Sequence, residues 1–132
     1  MSHLNDPCPF CDVSDRAILG QSEHAFAMHD AFPVSQGHTL VIPRCHVADL
    51  FDLPECELVE VFALVGRMKN ELLAEFSPAG FNIGINIGRD AGQTVKHAHV
   101  HIIPRYPSDV ADPTGGVRNV IPGKGPYTRT IE

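Results

Sequence analysis

Phe81-Asn82-Ile83-Gly84-Ile85-Asn86-Ile87, then Gly88-Arg89-Asp90-Ala91-Gly92, then Gln93-Thr94-Val95-Lys96-His97-Ala98-His99-Val100-His101-Ile102-Ile103-Pro104-Arg105, is the stretch that decides the fold. Its first segment alternates Phe and Ile with Asn and Gly, the pattern of a strand with one polar face. The middle segment carries turn residues. The third is small, β-branched or aliphatic around its histidines and reads as a second strand. Two strands joined by a short loop form an antiparallel hairpin. Strand positions two apart share a face, so His97, His99 and His101 form one imidazole row, with Ala98, Val100 and Ile102 on the other side.

Upstream of the hairpin, His24–Met28 reads as a strand, Gln36-Gly37 as a turn, and His38–Ile42 as a strand stopped by Pro43. From Leu53 to Phe76 the apolar residues Leu58, Val61, Phe62, Val65, Met68, Leu72 and Phe76 recur at spacings of three and four, which predicts a helix. Asp52-Leu53-Pro54-Glu55 reads as its cap, with Glu55 reaching back, and Ser77-Pro78-Ala79-Gly80 ends it. The order strand, strand, helix, strand, strand predicts an α+β domain with a mainly antiparallel sheet.

The chain has 132 residues, enough for one domain with one core. It has no apolar run of about 18 residues, so no membrane span is expected. The start, Met1 to Pro7, lacks the basic and apolar regions of a signal peptide, and a cytoplasmic location follows as the expectation. In that compartment the four cysteines are thiols or metal ligands rather than disulfides. A net charge of -6 argues against nucleic acid as partner. It leaves room for a small phosphorylated ligand held by backbone N–H groups. The Pro- and Gly-rich end, Asp112 to Pro126, reads as an extended tail.

The imidazole row has two chemical readings. Three histidines can hold one metal ion. Alternatively, one is a nucleophile whose neighbours keep it neutral near pH 7. The bland reading is a polar row on a half-buried strand. Gly92, Gln93 and Thr94 lie just before the row and offer backbone approach and neutral donors, a nest for a phosphate oxygen that a metal site does not need. Cys8-Pro9-Phe10-Cys11 is a Cys-x-x-Cys pair that can hold zinc. The rivals are a redox pair, which lacks a surrounding βαβ pattern, and two unligated thiols.

The run Gly92 to Ile103, with His-x-His-x-His followed by apolar residues, resembles the signature of the histidine triad (HIT) family of nucleotide hydrolases and transferases. His24–Asp30, Gly37–Arg44 and Asn82–Asn86 resemble the family in the same order, so the likeness spans roughly residues 6 to 106. It implies a HIT-like fold, a mainly antiparallel sheet of about five strands with one long and one short helix. The HIT domain would cover 1–110. The tail 111–132 would pack on the same domain or on a partner subunit.

The resemblance further implies that His99 attacks the α-phosphate of a nucleotide and forms a covalent nucleotidyl-histidine that water cleaves. His101 would assist the phosphate side and the leaving group, and His38 would complete the cluster. Gln93 and Thr94 would hold phosphate oxygens. Asp30 matches a ribose-binding acid, Phe26 would line the base pocket, and Asn86 matches an amide at the phosphate or sugar. A histidine at 101, where sugar-phosphate transferases of the family carry Gln, points to hydrolysis. The text around Gly92–His97 resembles the dinucleoside polyphosphate hydrolases, whereas Asp30 is typical of nucleoside phosphoramidate hydrolases. A third reading is a nucleotide-binding or zinc-stabilised interaction protein with incidental catalysis. By position in a bacterial subset of the family, His46 and His97 would complete a structural zinc site with Cys8 and Cys11, with Cys45 as a substitute for His46. Magnesium would accompany a polyphosphate substrate, and Arg118 and Lys124 could reach its distal phosphates. The family also implies a homodimer.

Overall fold

A computed structural model describes residues 8–127. The signal-peptide reading of residues 1–7 and the last residues of the tail, 128–132, lie outside them. Five strands form one antiparallel sheet: β1 (Gly20–Gln21), β2 (Ala25–His29), β3 (Thr39–Pro43), β4 (Gly80–Gly84) and β5 (Val100–Arg105), in the order β1-β2-β3-β5-β4. One helix, α1 (Glu55–Phe76), crosses the sheet. The α+β expectation holds, and the sheet has five strands as expected. The short second helix is represented only by 3-10 turns such as Leu50–Asp52 and Gly116–Val120.

The two-residue period of the strands divides the core. Ala25, Ala27, Val41, Val100 and Ile102 face α1 and meet Val61, Leu64, Val65, Met68 and Leu72. Phe26, Leu40 and Ile42 face the other way and are covered by the N-terminal residues Phe10, Val13 and Ile18. The functional residues gather on this second face.

Several local expectations change. The cap at Asp52–Glu55 does not form: Pro54 is the N-cap and makes no side-chain cap bond. The capping acid is instead Asp49, which accepts from the Phe51 N–H at 2.9 Å and starts the 3-10 turn ahead of α1. Phe62, expected in the core, is 43% exposed, and Leu64 takes its place among the buried residues. The strand expected over 81–87 ends at Gly84. The strand expected from Gln93 starts only at Val100. The hairpin is therefore antiparallel as expected but joined by a long loop, 85–99, with a 3-10 turn at Arg89–Ala91. The turn at Gly37 is as expected. Its φ of +87° and the 2.8 Å a Cβ would leave to Phe76 both call for glycine.

The tail is not an extended appendage within the described residues. Gly116–Val120 lies against β4. Arg118 donates to the carbonyls of Lys124 and Gly125 and lies over the Tyr127 ring. No helix among the described residues is long and apolar enough to cross a membrane.

Candidate functional site

Because β5 begins at Val100, the three histidines do not form one row. His101 sits in the strand, paired opposite Leu40 of β3. His99 lies just before the strand, and His97 sits in a bend and is fully buried. The bend turns His97 toward the N-terminal cysteines, and His99 and His101 remain together, ring centroids 4.9 Å apart.

Hydrogen bonds assign a tautomer to each ring. The Nδ1 of His99 is 2.8 Å from the His97 carbonyl, which only accepts. Nδ1 therefore carries a proton, and in the neutral imidazole the lone pair is on Nε2. The Val34 N–H donates to Nδ1 of His38 at 3.1 Å, so Nε2 of His38 carries its proton. That Nε2 lies 3.0 Å from Nδ1 of His101, which must accept, leaving Nε2–H of His101 as a donor. Burial, opposed by Asp30, pushes the pKa of His38 down. Burial first, then the neighbouring His99 and His38, pushes His101 down to about 4. Both rings are neutral near pH 7. One imidazole thus offers a lone pair and its neighbour offers a proton.

A cavity of about 450 Å³ opens over these rings. His38, His99, His101, Asp30, Asn86, Gln93 and Thr94 line it together with Pro9, Phe10, Met28, Phe32, Leu40 and Gly92. Asp30 accepts from the Phe32 N–H through Oδ1 at 2.8 Å, and its Oδ2 lies 3.4 Å from His38 Nε2. Thr94 is exposed at the rim.

Three expected residues are placed differently. Phe26 is 3% exposed between Leu40 and Ile42 and does not line this cavity. It shares the correct face of β2 but sits one repeat too far along the strand. Met28, paired opposite Leu40, takes the lining position. The Gln93 side chain reaches the cavity wall with its amide engaged. It donates to the carbonyls of Ala48 and Val95 and accepts from the Gly88 N–H, so it braces the loop instead of offering a free donor. Arg118, bonded to the tail's own carbonyls, is likewise not directed at the cavity. Phe10 escaped the sequence reading, because no local pattern reports a contact between positions 10 and 99.

A second cluster lies beside the first. Cys8, Cys11, His46 and His97 bring one ligand atom each to within 4.8 Å of one another. His97 Nδ1 is 3.3 Å from Cys8 Sγ, 3.6 Å from Cys11 Sγ and 3.0 Å from His46 Nδ1, and Cys11 Sγ is 3.1 Å from His46 Nδ1. Tetrahedral zinc, with bonds of about 2.0–2.3 Å, would space such atoms about 3.3–3.8 Å apart. His97 donates its Nε2–H to the Pro43 carbonyl at 2.7 Å, which leaves Nδ1 as a lone pair facing the cluster. The Cys11 thiol is pushed up first by its hydrogen bond with Cys8, so a second thiolate there calls for a cation. Donor set and tautomer fit a metal ion; the two distances from His97 to the thiols lie in that range, and the two to His46 are shorter. Cys45 is exposed and stands outside the cluster.

Comparison with known proteins gives a family and several relatives. A family profile described as the HIT domain matches residues 12–108. A HIT family protein from Bacillus anthracis has a solved structure that aligns with a TM-score of 0.73 at 42% identity, covering 79% of this chain and 77% of that one. A bis(5'-nucleosyl)-tetraphosphatase (asymmetrical) of Schizosaccharomyces pombe is 46% identical over 80 residues, 61% of this chain and 44% of that protein. A zinc-bound histidine triad family protein from Mycobacterium smegmatis aligns with a TM-score of 0.66 at 34% identity, covering 73% of this chain and 70% of that one.

Proposed function

The chain belongs to the HIT domain family, and from that premise we propose that it is a hydrolase that cleaves a dinucleoside polyphosphate at the α-phosphate through a covalent nucleotidyl-His99. The observation that carries this reading is the bond from His99 Nδ1 to the His97 carbonyl, which in the neutral imidazole puts the nucleophilic lone pair on Nε2 at the cavity. Nε2 attacks the α-phosphorus, and the bond to the bridging oxygen breaks. The Nε2–H of His101 supports that oxygen as charge builds on it. Water then attacks the same phosphorus, the N–P bond breaks, and His99 is regenerated. From diadenosine tetraphosphate the products are AMP and ATP. The Schizosaccharomyces relative named for this activity supports the choice of substrate.

Thr94 and the backbone of the loop after Gly92 hold phosphate oxygens, and Gln93 keeps that loop in shape. Asp30 and Asn86 meet the ribose and the sugar–phosphate region. Zinc at Cys8, Cys11, His46 and His97 is structural, tying the N-terminal segment to the start of β5. The named zinc-bound relative supports that metal. A homodimer is supported by Val59, Phe62, Gly66 and Leu73, which recur at spacings of three, four and seven on the outward face of α1. The first, second and fourth are apolar and exposed, and Gly66 leaves room for a close neighbour.

One observation favours phosphoramidates as a second substrate class. Among the described residues no Lys or Arg lines the cavity, and Asp30 does. A triphosphate leaving group would meet no cation from those residues, and magnesium carried with the substrate would supply one. An amine leaving group needs none. The test is to offer diadenosine tetraphosphate and an adenosine phosphoramidate to wild type and His99→Ala. Turnover should fall at least about a thousand-fold in the variant, and an adenylyl adduct on wild type should appear by mass spectrometry after acid-free quenching. Equal turnover in His99→Ala defeats the nucleophile. Nucleotide binding without turnover of either substrate favours a binding module.

A further inference from the structure

Cys8, Pro9, Phe10 and Cys11 form one tight turn, closed by a bond from the Cys11 N–H to the Cys8 carbonyl at 3.3 Å. Its two ends are metal-type ligands. Its two middle residues line the histidine cavity. The Phe10 ring stands edge-on to both sides of the site, its centroid 5.1 Å from that of His99 and 5.9 Å from that of His97. The same residue helps line a separate pocket of about 300 Å³ that also contains Asp12, Asp15 and Arg44. Phe10 therefore lies between the cavity and a second, charged recess. Removing it would let water approach the place where a phosphate would sit.

What holds this partition is also visible. Among the described residues from Cys8 to Val13, the hydrogen bonds that reach the rest of the chain run through the thiols of Cys8 and Cys11 to His46 and His97. The remaining attachment is apolar, Phe10 and Val13 against Phe26, Leu40 and Ile42. We propose that Phe10 is a positioning residue through which metal occupancy at Cys8, Cys11, His46 and His97 controls nucleotide affinity in the cavity, an inference that rests on the nucleotide reading above. With the ligands joined, the turn is fixed at both ends and the ring is pinned on His99. With the ligands parted, the turn keeps only its apolar footing and the wall loosens.

The experiment is an AMP titration by calorimetry on zinc-loaded and chelated protein, for wild type, Phe10→Ala, Phe10→Leu and Cys8→Ser/Cys11→Ser. Zinc-loaded Phe10→Ala should bind AMP about ten-fold more weakly, the size expected for losing one ring contact and its exclusion of water. Phe10→Leu should recover most of that affinity. Chelating wild type should weaken AMP by a similar factor, reversed by zinc. Chelating Phe10→Ala should add little, because metal and ring act through one connection. The loss should fall more heavily on KM than on kcat. AMP binding by wild type that ignores both chelation and Phe10→Ala overturns this inference and leaves the nucleotide reading standing. Additive losses from chelation and Phe10→Ala also overturn it. No AMP binding by zinc-loaded wild type overturns both readings. Should the cysteine variant fail to fold, the chelation and zinc cycle on wild type decides by the same criteria.

Discussion

Among the described residues two clusters bring metal-capable atoms together, and their hydrogen bonds prepare them for different chemistry. Cys8, Cys11, His46 and His97 form one; Asp30, His38 and His101 form the other. Composition and spacing alone do not separate them, since two histidines and a carboxylate are a respectable metal set. The difference lies behind the rings. His97 passes its proton outward to the Pro43 carbonyl and turns a lone pair inward. His38 takes the Val34 N–H on its outer nitrogen and turns a proton inward, toward His101. A cation is welcome at the first and would have to displace a proton at the second. One backbone group per histidine, a carbonyl in one case and an N–H in the other, is enough to divide ligand from proton donor.

The sharpest way to break this contrast is to exchange sensitivities. His101→Ala should lower turnover by about 10²–10⁴-fold, the range for losing a proton donor, and leave metal content at one ion per chain by mass spectrometry. A second ion bound by wild type, lost in His101→Ala, would put the two clusters in the same class. Cys11→Ser should do the reverse to metal content. Its unfolding free energy should fall by about 3 kcal/mol when wild type is measured at a free zinc level some hundred-fold above its dissociation constant, and denaturant midpoints with and without chelator check that.

A pH series sharpens the contrast further. His101 holds its pKa near 4, with burial the first cause. The unfolded chain takes up a proton near 6.5 that the folded ring refuses until about pH 4. Stability therefore falls as pH drops from about 6.5 to 4, by something on the order of 2–3 kcal/mol. His101→Gln should flatten that slope in urea midpoints. The smallest effect belongs to His24, an imidazole outside both clusters. The 2.8 Å contact with Glu60 raises its pKa. Its contribution is present below about pH 6.5 and disappears as pH rises through the raised value. Because Glu60 also accepts from the His24 backbone N–H at 2.7 Å, Glu60→Gln should lower the midpoint somewhat at every pH and slightly more below pH 6 than above pH 8.

Much of this architecture was legible in the sequence, for identifiable reasons. The helix followed from apolar spacing, and its one misplaced residue, Phe62, lies on the edge of the stripe where a period of 3.6 tolerates either side. The strand period placed Phe26 on the right face but not at the right distance along it. The start of β5 was not legible. Val95 and His97 look like strand residues, and only the brace from Gln93 and the pull of the cysteine turn bend the chain there. Both are contacts between residues far apart in sequence, which local periodicity does not encode. For the same reason the pairing of Phe10 with His99 was invisible until the fold placed them together.

The bond from His97 to Pro43 and the contacts of His97 with Cys8 and Cys11 join positions 54, 89 and 86 residues apart. During synthesis the two cysteines emerge first and must wait for nearly the whole domain before their last partner arrives. Until then the full set of four ligands does not exist, and any ion held by the cysteines alone is held weakly. Assembly of the four-ligand cluster is thus a late event that requires a chain made at least through His97, and a truncated product would leave both thiols exposed to whatever else in its surroundings binds them.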